Sequence, residues 1–132
     1  MHLRILPLII GSVLAYTTSA ATHHPQEFLK NIQGSKNEGE QIVQHFCSNC
    51  HAEQPMIVIG APRMNQKEDW EPRIKNGVSV VMQHTIEGVG AMPPRGGCFE
   101  CSDQQLILAI IAMLPKEFKE SFSTALEKSN SK

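Results

Sequence analysis

The segment Cys47-Ser-Asn-Cys50-His51 decides how the rest of this chain is read. Two cysteines three positions apart, with a histidine directly after the second, form the pattern by which a polypeptide holds haem covalently. Both thiols can add to the two vinyl groups of one porphyrin, and the adjoining imidazole reaches the iron from the same turn. The competing readings are a Cys47–Cys50 disulfide, or half of a zinc site with an incidental histidine behind it. The zinc version needs Cys98 and Cys101 as the remaining ligands, across a gap much longer than the roughly 15–20 residues of common paired-cysteine zinc modules.

Upstream, the chain opens with a basic start at Arg4, an apolar stretch to about Tyr16, and small residues ending in Ala20-Ala21. This is the layout of a cleaved export signal over residues 1–20. The apolar part is shorter than the roughly 20 residues that span a bilayer, which makes a retained membrane anchor the weaker reading. The 132 residues carry a formal net charge of −1, and loss of Arg4 with the leader makes it one unit more negative. Near-neutral charge excludes a nucleic-acid binder, which needs a basic face. The remainder is one small domain, for which a large apolar prosthetic group adds buried surface. Of four cysteines in an exported chain, one pair goes to the porphyrin and one pair is left.

Residues 21–34, with His23, His24 and Pro25, read as a flexible lead-in, and neither histidine is given a role. Ser35-Lys-Asn-Glu38 has the form of a capping box and predicts a helix to about Cys50. Ile42, Val43, Phe46 and Cys50 form its apolar face. Ala52 to Gln66, with Pro55, Gly60 and Pro62, reads as a loop. A helix is expected over Lys67–Asn76, but Pro72 fits only near a first turn and leaves its start open. Ser79 to Glu87 reads as a short helix closed by Gly88, and Gly88 to Gly97 as irregular. Ser102-Asp-Gln-Gln105 is a second capping box, opening a helix that runs to Leu114 before Pro115. Leu106 to Leu114 is apolar without a break. Its outer side needs either a second copy of the chain, as in a homodimer, or the tail. In the tail, residues 116–132, Phe118, Phe122 and Leu126 recur every four residues, the pattern of an amphipathic helix that would cover Leu108, Ile111 and Ala112. No strand pattern is present.

With His51 on one axial position of the iron, the opposite position needs a ligand or an opening. Candidates are Met56, Met64, Met82, Met92, Met113, His45 and His84. Met92 stands out because Gly90-Ala-Met-Pro-Pro94 places it in a loop stiffened by two prolines. Methionines on helices, such as Met82 and Met113, read instead as core filler. His45 and His84 sit in helical stretches and read as packed or partly exposed. Cys98-Phe-Glu-Cys101 reads as a structural disulfide fixing the turn after the Met92 loop, with a redox-active dithiol at a helix start as its alternative.

On these residues the chain resembles the class I c-type cytochromes, and specifically the cytochrome c5 family of bacterial electron carriers. The resemblance covers Glu38 to Leu114 and rests on the haem motif, Gly60-Ala-Pro62, Trp70-Glu-Pro-Arg73-Ile, and above all the run from Ile86 to Asp103. It implies an all-α, small class I cytochrome c fold, residues 35–115, wrapped round one covalent haem c. It further implies Met92 as the distal ligand and a disulfide between Cys98 and Cys101. The backbone of Pro62 would accept from the far nitrogen of His51, Trp70 would pack along the haem edge near a propionate, and Gly39 would mark a close crossing of the first and last family helices. The sequence departs from the family in lacking an aromatic residue at Ala112-Met-Leu114, in the apolar run Met56-Ile-Val-Ile59, and in the tail.

The expectation for function is a periplasmic one-electron carrier, not an enzyme, docking transiently with redox partner proteins of a respiratory chain. Two alternatives differ in class: a five-coordinate haem protein that binds a gas or peroxide, and a zinc-held interaction module.

Overall fold

The computed structural model describes residues 24–130, and the expected signal segment, residues 1–20, lies outside them. Among the described residues the regular elements are helical, with one isolated antiparallel bridge between Val89 and Met92. This is the small all-α fold expected of the sequence.

The expected lead-in is instead partly a helix, α1, Pro25–Ile32. Proline at its first position has no hydrogen bond to lose. Leu29 and Ile32, on one side, are buried, and Phe28 stacks on His45 with ring centroids 4.3 Å apart. Without that tertiary cover, eight residues would not hold a helix in water.

The expected box at Ser35 does not form. Helix α2, Glu38–Ile42, has Asn37 at its cap position with no side-chain cap bond. Glu38 reaches back one residue further, accepting from the Gly34 amide at 2.7 Å, and its other oxygen accepts from Gln105 Nε2 at 3.0 Å. A carboxylate buried to 5% exposure thus has both oxygens satisfied and links the first helices to the last of the expected domain.

A π-helical turn, Val43–Cys47, follows, in which the Ser48 amide bonds the Val43 carbonyl, and the run ends as α3, Ser48–His51. The extra residue per turn shifts the phase of the helix. Ile42 and Val43 point into the core at 0% and 2% exposure, while Phe46, Cys47 and Cys50 are only half-buried. The single apolar face expected through Cys50 is therefore broken in two, and its second half faces a cavity.

Helix α4, Lys67–Lys75, holds Pro72 in its second turn, not its first. Arg73 caps the local backbone by donating to the Asp69 carbonyl. Helix α5, Val78–Glu87, stops at Gly88, whose φ of +83° suits glycine. A Cβ there would also sit 2.7 Å from the Met92 carbonyl oxygen. The loop read as irregular contains a tight turn, Pro94–Gly97, in which Arg95 and Gly96 take left-handed φ of +57° and +61°.

Helix α6, Asp103–Met113, starts with the expected capping box: Gln105 N donates to Ser102 Oγ at 3.2 Å, and Ser102 N donates to Gln105 Oε1 at 3.0 Å. It crosses α2 at Gly39, where a Cβ would stand 2.3 Å from the Leu108 carbonyl oxygen and 3.3 Å from the Ala112 Cβ. Helix α7, Lys116–Asn130, buries Phe122 and Leu126 at 1% and 9% exposure. It rests on α5 as well as α6. The expected cover of Ala112 by the tail is corrected, because that methyl faces Gly39 of α2.

No described helix is long and apolar enough to cross a membrane.

Candidate haem site

One cavity gathers side chains from across the chain. Cys47, Cys50 and His51 come from the π turn and α3, Pro62 from the following loop and Trp70 from α4. Met92 comes from the glycine and proline loop, and Leu106, Ala109, Ile110 and Met113 from α6. Every residue expected at the cofactor, Cys47, Cys50, His51, Pro62, Trp70 and Met92, lies on its wall. Cys98 and Cys101 do not, and their sulfurs stand at bonding distance from each other, 2.01 Å.

His51 is buried at 7% exposure, and its Nδ1 donates to the Pro62 carbonyl oxygen at 2.8 Å. That bond turns the ring and leaves Nε2 with its lone pair free to bind a metal. Burial pulls the His51 pKa below 6.5, the Pro62 bond opposes this, and the Arg73 charge adds to it. The shift favours the uncharged imidazole, the form that binds a metal.

Cys47 is a thiol that resists ionisation. Burial first, and then the neighbouring Cys50, push its pKa up to about 11. A thioether, which carries no charge, loses nothing in such a place, whereas a zinc thiolate would. Among the described residues no three His, Cys, Asp or Glu side chains converge on one point, and Cys98 and Cys101 are engaged with each other, so the four-cysteine zinc cluster is not assembled. The cavity's aliphatic and aromatic lining, its thiol pair and its neutral imidazole fit a large apolar ring with a metal at its centre.

Of the candidates for the second ligand, Met92, Met113 and His84 line the cavity. Met113 is a core residue of α6 at 5% exposure. His84 is exposed at the end of α5. Met56 is 86% exposed and away from the cavity, and His45 is spent on Phe28 and Phe46. Met92 is held by its loop: its amide and carbonyl exchange hydrogen bonds with Val89 at 3.0 and 3.1 Å, and two prolines follow.

Two arginines with no local sequence signal brace the site. Arg95 adopts φ +57° and donates from Nη2 to the Cys101 carbonyl and to Asp103 Oδ1 at 2.8 Å, tying the Met92 loop to the start of α6. Arg63 pairs with Asp69 at 2.8 Å. Neither pairing leaves a local motif, since each joins a loop to the following helix. Trp70 is buried on the cavity wall, and its indole N–H donates to the Arg63 carbonyl at 2.9 Å.

Comparison with known proteins places the chain among cytochromes. A family model described as cytochrome C oxidase, cbb3-type, subunit III, matches residues 34–110. Cytochrome c5 of Azotobacter vinelandii is 32% identical over 79 residues, covering 58% of this chain and 92% of that protein. Cytochrome c5 of Ectopseudomonas mendocina is 33% identical over 82 residues, 61% of this chain and 91% of that protein. Cytochrome c-551 of Halorhodospira halophila is 40% identical over 68 residues, 52% and 80% of the respective chains. With a haem attachment motif on the wall of an apolar cavity, a family model matching residues 34–110 and two c5 relatives covered to 91–92% of their length, the chain belongs to the class I c-type cytochromes, is c5-like, and shares that family's covalent haem c and its role in electron transfer.

Proposed function

We propose that the protein is a periplasmic one-electron carrier with a single haem c, joined by thioethers at Cys47 and Cys50 and ligated by His51 and Met92. The observation that carries this reading is that His51 and Met92, forty-one positions apart in the sequence, share one apolar cavity with the thiol pair. Haem held there supplies a ferric/ferrous couple that takes up and gives out one electron.

The protein's own part is orientation and exclusion of water. Pro62 fixes the His51 ring, and Val89, Pro93 and Pro94 hold the methionine loop, so the ligands need not reorganise when charge changes. A soft thioether and an apolar wall both favour the lower-charged ferrous state. With His51 and Met92 both holding the haem iron, no open site for a substrate would be left on it. Trp70 and Pro62 form the haem surroundings. A Cys98–Cys101 disulfide would pin the turn between the Met92 loop and α6, supported by the 2.01 Å sulfur separation.

Ile57, Ile59 and Val89 line the cavity and are 42–49% exposed. An apolar rim of this kind suits brief docking of respiratory redox proteins. Residues 1–20 would direct export and be cleaved as a signal peptide.

The test is an optical spectrum of the purified holoprotein, oxidised and reduced, with acid-acetone extraction. A low-spin spectrum with haem retained on the chain is expected. A high-spin spectrum with rapid uptake of carbon monoxide would favour the five-coordinate gas or peroxide reading, and a colourless protein would contradict haem altogether.

A further inference from the structure

The peptide group between Pro62 and Arg63 is hydrogen-bonded at both ends. Its carbonyl accepts from His51 Nδ1 at 2.8 Å, and its N–H, on Arg63, donates to Asp69 Oδ2 at 3.0 Å. Carboxylate, peptide and imidazole thus form one chain. The same Oδ2 accepts from Arg63 Nε at 2.8 Å, so the guanidinium locks the carboxylate in place. Trp70, next to Asp69 in α4, donates to the Arg63 carbonyl at 2.9 Å. The Met64 amide donates to the His51 carbonyl at 2.7 Å, and the Asn65 amide to the Met113 carbonyl at 3.0 Å. Little freedom is left to this segment.

A carboxylate accepting from one end of a peptide group draws its N–H outward and makes the carbonyl at the other end a better acceptor, since linked hydrogen bonds polarise one another. A better acceptor on Nδ1–H makes the imidazole more electron-rich at Nε2, the effect that carboxylates exert directly on metal-bound histidines. Here the carboxylate acts through one interposed peptide group.

We infer that Asp69 is a positioning residue for His51: held by Arg63, it orients and polarises the Pro62–Arg63 peptide and so strengthens His51 as an iron ligand, lowering the reduction potential. This rests on the proposed ligation of iron by His51.

Glu68 offers a matched control. It adjoins Asp69 in the same first turn of α4 and acts on Arg63 through its charge, but makes no hydrogen bond to this peptide. Reduction potential and exchange of the His51 Nδ1 proton, read by NMR on the holoprotein, are compared for wild type, Asp69→Ala and Glu68→Ala. Asp69→Ala is expected to raise the potential more than Glu68→Ala does and to speed the exchange by about tenfold, the weight of one hydrogen bond. Glu68→Ala should leave the exchange unchanged. Equal potential shifts with unchanged exchange in both variants would overturn the inference, leaving Asp69 as a surface charge. Where Asp69→Ala does not hold haem, Asp69→Asn serves, and a potential and exchange rate like those of wild type would overturn it equally. Failure of the ligand reading is seen separately: a wild-type His51 ring proton without the shift of an iron-bound imidazole contradicts that reading whatever the variants do.

Discussion

His51 Nδ1 and the Pro62 carbonyl oxygen stand 2.8 Å apart, and this one bond settles which face the imidazole turns to the cavity. A loop of ten residues lies between them, so the ring is aimed by chain that folds back and not by the helix that carries it. The return is secured by the Arg63–Asp69 pair and by the Trp70 indole, both on α4.

Acidification should release the return loop. Hydrogen bonds from Arg63 hold the Asp69 carboxyl below its ordinary value of 3.8. A folded pKa below the unfolded one stabilises the native state at all pH above the unfolded value and loses that contribution as pH falls through the folded value. Denaturation of wild type and Asp69→Asn should therefore differ at neutral pH and converge in acid, below about pH 4. Curves that stay equally separated to low pH would show that the carboxylate charge is not what stabilises the loop.

Gly39→Ala should destabilise the protein although alanine is the better helix former. Its Cβ would lie 2.3 Å from the Leu108 carbonyl oxygen, which is backbone and has no rotamer to move. Separation of α2 from α6 is expected to cost about 1–3 kcal/mol. Urea unfolding should show a lower midpoint with an unchanged slope. A gain in stability, the usual result of Gly→Ala in an open helix, would mean that the helices do not cross so closely.

Phe122→Ala tests whether the tail belongs to the core. The ring is 1% exposed between α7 and the helices beneath it, and its loss should cost about 3–5 kcal/mol. Truncation after Pro115 should likewise lower the melting temperature and expose apolar surface. Melting temperatures unchanged in both would identify α7 as a segment that docks on a partner.

The parts legible in the sequence were those whose cause is local. A haem pentapeptide, a proline-stiffened methionine loop, the Ser102–Gln105 box and the glycine stop at Gly88 each carry their reason within a few residues. The Ser35 box failed because its glutamate found a different amide and a distant glutamine, Gln105, sixty-seven positions away. Helix α1 is not legible in the sequence because its stability lies in Leu29 and Ile32 meeting the core, which no short window displays. Pro72 leaves the start of α4 unreadable in the sequence because one missing amide is a tolerable cost where the rest of the helix is anchored by Trp70. Residues aimed at the cavity were recognised through motif and resemblance, whereas the Arg63–Asp69 pair that aims His51 has no spacing to recognise.

The central claim, that His51 and Met92 together close the iron, is tested most directly by Met92→Ala. Oxidised wild-type protein should show the thioether-to-iron charge-transfer band of a low-spin haem. The variant should keep its covalent haem, lose that band, turn high-spin or take up an added ligand rapidly, and drop in reduction potential. Persistence of the band in Met92→Ala would contradict the account and move the second ligand to another methionine, with Met113 the one on the cavity wall.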